Sequence, residues 1–411
     1  MCFEAGHDVG GTWYWNRYPG ARCDVESVDY SYSFDPDLEQ EFTWTERYAS
    51  QPEILRYLQH VARRHDLYRS IEFGQRVSAA RYLNDGQWTV SAGKGRRVSA
   101  RFLVLATGPL SEPLSPGLPG LEDFDGPVLR TSRWPREPVD FSGKRVAVIG
   151  TGSSGIQAIP EIARRCAHLT VFQRTPNFSI PAQNHPMSPK EMLAIKQGYR
   201  ERRQRARTTP NGSPYVYSAD SVLSVPADER QRVFEEAWQR GGTHFTKAFG
   251  DLTRDERANR FAVEFVSQKI RSIVRDPEVA ADLIPADHPL GSKRICADTD
   301  YYQTYNRENV ELVNLRRTPI EEVHADGIRT TAADHLLDMI VLATGFDAMT
   351  GSFTALDLTG ADGRTLKDAW AAGPRTYIGL MTAGFANLFF LCGPGSPSVL
   401  ANVVAGAEQQ V

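Results

Sequence analysis

The pattern of apolar and polar residues is most regular in the stretch Lys144–Thr175. The β-branched run Val146–Ile149 is typical of a buried parallel strand. After it, apolar residues recur at the spacing of one helix face: Ile156, Ile159, Ile162 and Ala163. They predict an amphipathic helix over Ser153–Arg165. A second apolar run, Leu169–Gln173, predicts another strand, so the pattern as a whole indicates a strand–helix–strand unit of a parallel sheet.

Several further elements follow from the same periodicities. A helix is predicted over Gln51–His65, and a hairpin is predicted by Phe73–Tyr82 and Gln87–Ala92, which flank an Asn-Asp-Gly turn. Two nearly identical runs, Phe102–Gly108 and Met339–Gly345, each end in Ala-Thr-Gly and predict buried strands. Because the same strand occurs twice, we expect two dinucleotide-binding domains, each of which ends with such a strand.

Residues 188–282 have a polar, helical pattern. Helices are predicted over Pro189–Arg207 and Asp228–Arg240. One further long, packed helix is predicted by regularly spaced apolar anchors: Phe261, Val263, Phe265, Val266, Ile270 and Ile273. Since the stretch contains no catalytic motif, it is interpreted as a helical insertion.

The first strand of the strand–helix–strand unit leads into glycines spaced G-x-G-x-x-G. The first glycine allows a tight turn, the second lets backbone approach a pyrophosphate, and the third lets helix pack on strand. The predicted cofactor-binding residues are therefore Gly150, Thr151, Gly152, Ser153, Ser154 and Gly155. On the motif alone, a glycine-rich turn without a ligand is an equal alternative. The flanking strands and helix favour dinucleotide binding.

The end of the second strand indicates which dinucleotide binds. An acidic residue usually holds a ribose 2′-hydroxyl at this position, whereas a 2′-phosphate requires a cation. Here Arg174 is followed by Thr175. A guanidinium can bind phosphate through two hydrogen bonds, and the hydroxyl can donate another. The pair predicts NADPH, with a solvated arginine at a strand end as the alternative.

Composition narrows the class of protein further. The chain has 411 residues and a formal net charge of −3, without long runs of like charge, so nucleic acid is not an expected partner. The five cysteines are scattered and lack C-x-x-C spacing, which argues against a disulfide framework and a redox dithiol. No apolar run approaches a membrane span, and the first residues lack a signal-peptide pattern. We therefore expect a soluble cytoplasmic enzyme with no membrane partner and make no prediction of its oligomeric state.

The first 34 residues are unusual. Phe3 and Glu4 resemble the end of a second dinucleotide-fold strand, whose acidic residue holds a ribose. Gly10–Phe34 combines paired glycines, many aromatic residues and Asp24, and no regular element explains that density. We interpret Gly10–Phe34 as an ordered loop around a large planar ligand.

This segment resembles the Baeyer–Villiger monooxygenases, the class B flavoprotein monooxygenases. Their pattern E-A-G-x-x-x-G-G-T-W-x-x-N-x-Y-P-G-x-x-x-D is matched by this chain from Glu4 to Asp24. The matching residues are Glu4, Gly10, Gly11, Thr12, Trp13, Asn16, Tyr18, Pro19, Gly20 and Asp24. The resemblance implies that Glu4 holds the FAD ribose and that Gly11, Thr12, Trp13 and Tyr18 bind the flavin cofactor. It also implies that a strand, glycine motif and helix of roughly 30 residues precede this sequence, and that further segments follow it.

Three later segments carry the same resemblance. Phe124–Pro135 matches F-x-G-x-x-x-H-x-x-x-W-P except that Arg130 replaces the histidine, which puts domain coupling in doubt. The residues Lys293–Tyr302 match the family motif K-R-x-x-x-D-T-x-Y-Y. The resemblance implies that Lys293 reaches the NADPH 2′-phosphate and that Arg294 reaches the flavin. Asp24 would position Arg294.

The last motif is a strand, a glycine–proline turn and a predicted helix from Ser398. A turn before a helix N-terminus suits a polar cofactor edge, so Gly393 and Ser396 are expected at the flavin. A simple tight turn is the alternative.

The predicted fold class is α/β, with two dinucleotide-binding (Rossmann-like) domains and a helical insertion in the second. The FAD domain would comprise residues 1–111 and 346–411, and the NADPH domain residues 112–345, with its insertion at about 188–282. The resemblance implies that FAD, NADPH and O₂ oxidise a small-molecule ketone to an ester or lactone through a C4a-peroxyflavin. The alternatives are a flavin N- or S-monooxygenase and a non-catalytic NADPH-binding remnant.

Overall fold

The computed structural model describes residues 1–397 and 400–411. The strands, in chain order, are β1 (Cys2–Phe3), β2 (Ile71–Glu72), β3 (Val77–Tyr82), β4 (Trp88–Ala92), β5 (Arg96–Ala100), β6 (Leu103–Leu105), β7 (Val128–Arg130), β8 (Arg145–Ile149), β9 (His168–Gln173), β10 (Ser179–Pro181), β11 (Cys296–Asp298), β12 (Val310–Asn314), β13 (Ile320–His324), β14 (Gly327–Thr330), β15 (Asp334–Leu336), β16 (Met339–Leu342), β17 (Asp357–Thr359) and β18 (Leu388–Phe390).

The α-helices are α1 (Thr12–Trp15), α2 (Pro36–Glu41), α3 (Gln51–Arg64), α4 (Ser153–Ala163), α5 (Pro189–Gln197), α6 (Tyr199–Arg207), α7 (Ala227–Arg240), α8 (Glu256–Ile273), α9 (Pro277–Leu283), α10 (Tyr301–Thr304), α11 (Gly351–Thr354), α12 (Leu366–Ala369) and α13 (Val403–Gln410). Short 3-10 helices occur at Leu67–Ser70, Leu121–Asp123, Thr131–Arg133 and Gly242–Lys247. In the described parts of the chain, no helix is both long and apolar enough to cross a bilayer.

A five-stranded sheet has the order β12-β9-β8-β16-β7. Every pairing in it is parallel. The predicted strand–helix–strand unit is confirmed as β8, α4 and β9. Val146, Val148 and Val171 are fully buried in the sheet, and Ile156 and Ile159 of α4 are fully buried in the same core. The first helix turn therefore lies at the carboxyl ends of the parallel strands, where dinucleotide-binding folds place their ligand.

The strands of the first and last parts of the chain form smaller sheets. A four-stranded sheet has the order β17-β3-β4-β5, and it contains the predicted hairpin as β3 and β4. Two parallel pairs, β1 with β2 and β6 with β18, complete this part. The β6–β18 and β17–β3 pairings join residues near 100 to residues beyond 350, so the chain leaves this region and later returns to it.

The helical stretch differs from its prediction at one point. The single helix expected over Pro189–Arg207 is two helices, α5 and α6, which meet at Gly198. Gly198 ends the first and begins the second, because glycine interrupts a helix more readily than other residues do. The long helix predicted from the apolar anchors is confirmed as α8. Its N-cap is Asp255, whose carboxylate accepts hydrogen bonds from two backbone amides.

Two segments without a predicted strand or helix contain short regular elements. The segment Gly10–Phe34, predicted to be an ordered loop, includes the short helix α1. The segment Phe124–Pro135 contributes the edge strand β7, which pairs with β16. The helix predicted from Ser398 starts at a residue outside the described ranges. The described C-terminal helix is α13, with Asn402 as its N-cap.

Candidate active site

The glycine-rich turn between β8 and α4 has the shape that a pyrophosphate needs. Gly150 has a φ of 108°, and a Cβ there would lie 2.5 Å from the carbonyl oxygen of Ala343. A Cβ on Gly155 would overlap the carbonyl oxygen of Gly150. By contrast, a Cβ on Gly152 would meet no atom within 4 Å. The first and third glycines thus allow close packing, while the second faces open space, so the turn fits a dinucleotide phosphate.

The end of β9 lies directly beside this turn. The hydroxyl of Thr151 donates to the carbonyl oxygen of Thr175 at 3.0 Å. Arg174 is exposed, as is Lys293, so both predicted phosphate ligands can contact a solvated cofactor. The structure adds a residue that the sequence analysis did not select. The Nη2 atom of Arg316 donates to the Thr175 hydroxyl at 3.3 Å.

The predicted flavin loop docks on the NADPH-side helix α4 through Gln157. The hydroxyl of Tyr18 donates to Gln157 Oε1 at 2.8 Å, and the backbone amide of Arg22 donates to the same oxygen at 3.3 Å. Gln157 Nε2 donates in return to the carbonyl oxygen of Arg22 at 3.0 Å. Gly20 lets the loop lie on the helix backbone, since a Cβ there would overlap the carbonyl oxygen of Gln157. These contacts fix the chain just before Asp24.

Asp24 and Arg294 form a two-point ion pair between sequence positions 270 residues apart. Arg294 Nε donates to Asp24 Oδ2 at 2.5 Å, and Nη2 donates to Oδ1 at 2.7 Å. Both side chains are largely buried, with 25% and 19% of their surface exposed for Arg294 and Asp24. The negative charge of Asp24 raises the pKa of the Arg294 guanidinium above its ordinary value. The arginine is therefore a permanent cation in a fixed orientation.

Cys296 anchors the strand β11, which begins two residues after Arg294. The Sγ atom of Cys296, at the start of β11, lies 3.2 Å from the hydroxyl of Ser153 and accepts from Asn177 Nδ2 at 3.3 Å. Burial raises the pKa of the Cys296 thiol to about 12, so it stays protonated at neutral pH. Since Ser153 is the first residue of α4, the arginine and the glycine-rich turn are held in one framework.

A buried ionic cluster supports the other side of the ion pair, and the sequence analysis missed it. The carboxylate of Glu26 contacts four side chains: Arg47 Nε at 2.9 Å, Arg202 Nη2 at 2.7 Å, the Tyr215 hydroxyl at 2.7 Å and His244 Nε2 at 3.2 Å. Burial alone would raise the pKa of Glu26, but these hydrogen bonds and charges hold it well below its usual value. The cluster connects the loop after Asp24 to the helical stretch that contains α6.

The remaining predicted cofactor residues fall into two groups. Gly11 and Thr12 are exposed, and a Cβ on Gly11 would meet no atom within 4 Å. Ser396 has a buried hydroxyl oxygen without a hydrogen-bond partner in the described ranges, and it donates its backbone amide to the carbonyl oxygen of Gly393. An open glycine and an unpaired buried hydroxyl fit a polar cofactor edge.

The second group is held within the protein. Trp13 is buried, and its indole N–H donates to the Tyr30 hydroxyl at 3.1 Å. Tyr18 is buried, and its hydroxyl donates its hydrogen bond to Gln157, as described above. Glu4 follows β1 and accepts from the backbone amide of Gly6 at 2.6 Å. Arg130, at the position of the family histidine, ends the edge strand β7 opposite Leu342.

The fold and the site define an oxidoreductase of the flavin- and NADP-binding class, with a parallel dinucleotide sheet and a buried arginine between the two cofactor regions. In agreement, residues 26–210 match the family model of the pyridine nucleotide-disulphide oxidoreductases.

Comparison with individual proteins narrows this class. A solved steroid monooxygenase bound to NADP superposes with a TM-score of 0.96 at 57% identity, over 99% of this chain and 78% of that one. Cyclohexanone 1,2-monooxygenase from Acinetobacter sp is 40% identical over 100% of this chain and 76% of its own length. A phenazine N-monooxygenase from Lysobacter antibioticus is also 40% identical, over 100% of this chain and 76% of its own length.

The chain belongs to the Baeyer–Villiger monooxygenases, as its motifs predicted. It is a flavoprotein monooxygenase of the Baeyer–Villiger type that depends on FAD and NADPH. The predicted fold class, with its Rossmann-type domains, is likewise confirmed.

Proposed function

We propose that the Asp24–Arg294 ion pair is the centre that makes oxygen insertion possible. The observation that carries this proposal is the two-point contact that fixes a permanently charged guanidinium in a largely buried site. Negative charge develops on oxygen when a peroxide attacks a carbonyl. A preorganised cation stabilises such charge strongly where water is excluded.

Each residue then has a defined task. Arg294 supplies positive charge to the reacting oxygen atoms, and Asp24 keeps its guanidinium plane in one orientation. The glycine-rich turn would hold the NADPH pyrophosphate, and Arg174, Thr175 and Lys293 its 2′-phosphate. Glu4, Gly11, Thr12, Gly393 and Ser396 would contact FAD, with Trp13 and Tyr18 supporting the loop. When bound, the two cofactors supply the electrons and the oxygen chemistry.

The division into domains and the cellular setting are part of the same proposal. The FAD domain would comprise residues 1–111 and 346–411, and the NADPH domain residues 112–345. The β6–β18 and β17–β3 pairings support this division, because each joins the first range to the last. A small-molecule ketone is the proposed substrate, and the cytoplasm is the proposed location. Five free cysteines suit that reducing compartment.

The test compares Arg294→Ala, Arg294→Lys and Asp24→Asn in the FAD-loaded enzyme. With a ketone substrate, Arg294→Ala should lower ester formation by about 10²–10³-fold. NADPH oxidation should continue and release H₂O₂ instead, so that NADPH, H⁺ and O₂ give NADP⁺ and H₂O₂. Arg294→Lys keeps the charge but loses the two-point contact, so an intermediate yield is expected.

The assignment also requires coupling between the two residues. Asp24→Asn should shift product toward H₂O₂ as Arg294→Ala does, and the double variant should be much less than additive. FAD content and NADPH affinity serve as controls for folding. If Arg294→Ala makes ester at nearly the parental rate, the role assigned to this pair is wrong.

Nitrogen oxygenation is a second candidate, because the phenazine N-monooxygenase named above is as similar to this chain as the cyclohexanone enzyme. Insertion beside a carbonyl requires a nucleophilic, deprotonated peroxide, which a fixed cation favours. Heteroatom oxidation has no such requirement. Supplying a cyclic ketone, a thioether and a nitrogen heterocycle to the same preparation separates the two candidates. Ketone turnover that is selectively lost in Arg294→Ala supports the first.

A further inference from the structure

Arg316 lies at the same sheet edge as the predicted 2′-phosphate ligands. It follows β12, which pairs in parallel with β9 along its length. The pairing continues for one more residue, since the backbone amide of Leu315 donates to the carbonyl oxygen of Gln173 at 2.8 Å. Leu315 and Arg174 are therefore the next residues of the two strands, and Arg316 and Thr175 come directly after them. In parallel sheets, ligands bind beyond these carboxyl ends.

Two contacts fix the position of the Arg316 guanidinium. Its Nη2 atom donates to Asp287 Oδ2 and also lies 3.3 Å from the Thr175 hydroxyl. Asp287 precedes Lys293 in the loop between α9 and β11. The ion pair thus ties the loop that leads to Lys293 to the end of β12, although 47% of the Arg316 side chain is exposed.

The contact with Thr175 has a chemical consequence. A threonine hydroxyl has one proton to donate and two lone pairs that accept. Because Arg316 occupies a lone pair, the hydroxyl proton must point away from the guanidinium. The backbone carbonyl of Thr175 is already bound by Thr151. The hydroxyl proton can therefore be donated to an acceptor at the strand end.

We infer that Arg316 is a specificity-determining residue that favours NADPH over NADH by adding positive charge at the 2′-phosphate and by orienting the Thr175 hydroxyl toward it. The inference rests on the proposed function only in taking the end of β9 as the NADPH 2′-phosphate site. A 2′-hydroxyl carries no charge, so NADH binding should not depend on Arg316.

The chain provides a matched control in the next residue. Arg317 is also an arginine bound to an aspartate, with its Nη1 atom 2.8 Å from Asp282 Oδ1. The side chain of Arg317 is 63% exposed. Its partner Asp282 lies in helix α9, whereas Asp287, the partner of Arg316, lies in the loop after that helix. Replacing Arg317 removes the same charge from the same turn without touching Thr175. A nonspecific effect of net charge would appear in both variants.

The experiment measures dissociation constants of NADPH and NADH for the FAD-loaded wild type, Arg316→Ala, Arg316→Lys and Arg317→Ala by calorimetry. Arg316→Ala should weaken NADPH binding about tenfold. Hydrogen bonds to charged groups are stronger than those between neutral groups, but the exposure of the Arg316 side chain limits the effect. The dissociation constant of NADH should change less than twofold. Arg317→Ala should leave the ratio of the two constants near the wild-type value, and Arg316→Lys should give an intermediate ratio.

Two results would overturn the inference: an unchanged NADPH to NADH ratio in Arg316→Ala, or an equal change in Arg317→Ala. Equal weakening of both cofactors by Arg316→Ala also leaves the ratio unchanged and counts against it. The failure of the proposed function looks different. If the wild type itself binds both cofactors alike, the 2′-phosphate site is wrongly placed. If ketone oxidation fails while the ratio responds to Arg316, only the oxygenation chemistry is affected.

Discussion

The strands β6 and β16 have nearly the same sequence but different surroundings. The run Phe102–Gly108 reads Phe-Leu-Val-Leu-Ala-Thr-Gly, and Met339–Gly345 reads Met-Ile-Val-Leu-Ala-Thr-Gly. Strand β16 lies between β8 and β7, and Val341 is completely buried. Strand β6 pairs with β18, and the equivalent Val104 is 54% exposed in the described structure. The same apolar run thus specifies a strand in both places, whereas its neighbours determine how far it is buried.

The two regions also treat buried carboxylates differently. Glu26, within the predicted flavin loop Gly10–Phe34, is surrounded by cations and hydrogen-bond donors, and its pKa lies below the usual value. Asp298, at the end of β11 in the NADPH region, has no cation in contact within the described ranges. It accepts from the Ser179 hydroxyl and from the backbone amide of Tyr301. Burial raises its pKa to about 6. Opposite responses to pH should follow.

The largest effect is expected at Glu26. Glu26→Gln removes the negative charge that Arg47 and Arg202 contact, and of these two cations only Arg202 keeps an ion pair, with Asp29. We expect a loss of about 3 kcal/mol of unfolding free energy at pH 7. The lowered pKa means that this contribution is present above the unfolded value of about 4.5 and is lost as pH falls through the folded value. Chemical denaturation at several pH values measures it.

A partly exposed pair at the C-terminal end of α4 serves as the control for Glu26. Glu161 contacts Arg164 one turn along the helix, and Glu161→Gln should cost less than about 0.5 kcal/mol. A similarly small cost for Glu26→Gln would mean that the cluster does not stabilise the loop.

Asp298→Asn should produce the next largest effect, with the opposite sign. The folded pKa of about 6 exceeds the unfolded value of 3.8, so the native state holds its proton more tightly. The contribution of Asp298 to the free energy of unfolding is fully present below pH 3.8 and is lost as the pH rises through 6. The asparagine variant avoids that loss, because the Ser179 hydroxyl can accept from its amide. The variant should gain up to about 2 to 3 kcal/mol relative to wild type between pH 4 and pH 8. A pH-independent difference between the two proteins would refute this.

The glycine-rich turn offers a comparison within one motif. Gly155→Ala forces a Cβ against the carbonyl oxygen of Gly150, and overpacking of this kind costs about 1–3 kcal/mol. Gly152→Ala meets open space, so stability should change by less than about 0.5 kcal/mol while NADPH affinity falls. Thermal unfolding and NADPH titration separate the two effects. Equal loss of stability in both variants would show that the second glycine is also a packing position.

The sequence analysis succeeded where structure depends on local patterns. The β-branched run of β8, the glycine spacing and the apolar face of α4 are all local, and the structure contains them at the expected places. The break at Gly198 was missed because the helical pattern continues across it. Gln157 and Arg316 were missed for another reason. Gln157 contacts Arg22 across 135 residues and Arg316 contacts Thr175 across 141 residues, and no spacing along the chain reveals such contacts.

The last prediction returns to the comparison of β6 with β16. Val341→Ala removes two methyl groups from a completely buried site, which should cost about 2 kcal/mol. Val104→Ala makes the same chemical change at a position that is 54% exposed, so we expect less than about 0.5 kcal/mol. The pair is matched in residue type, strand type and flanking sequence, which leaves burial as the difference. Urea unfolding of both variants measures it. If Val104→Ala costs as much as Val341→Ala, then the exposed face of β6 is covered in solution, and the two strands are equivalent in burial as well as in sequence.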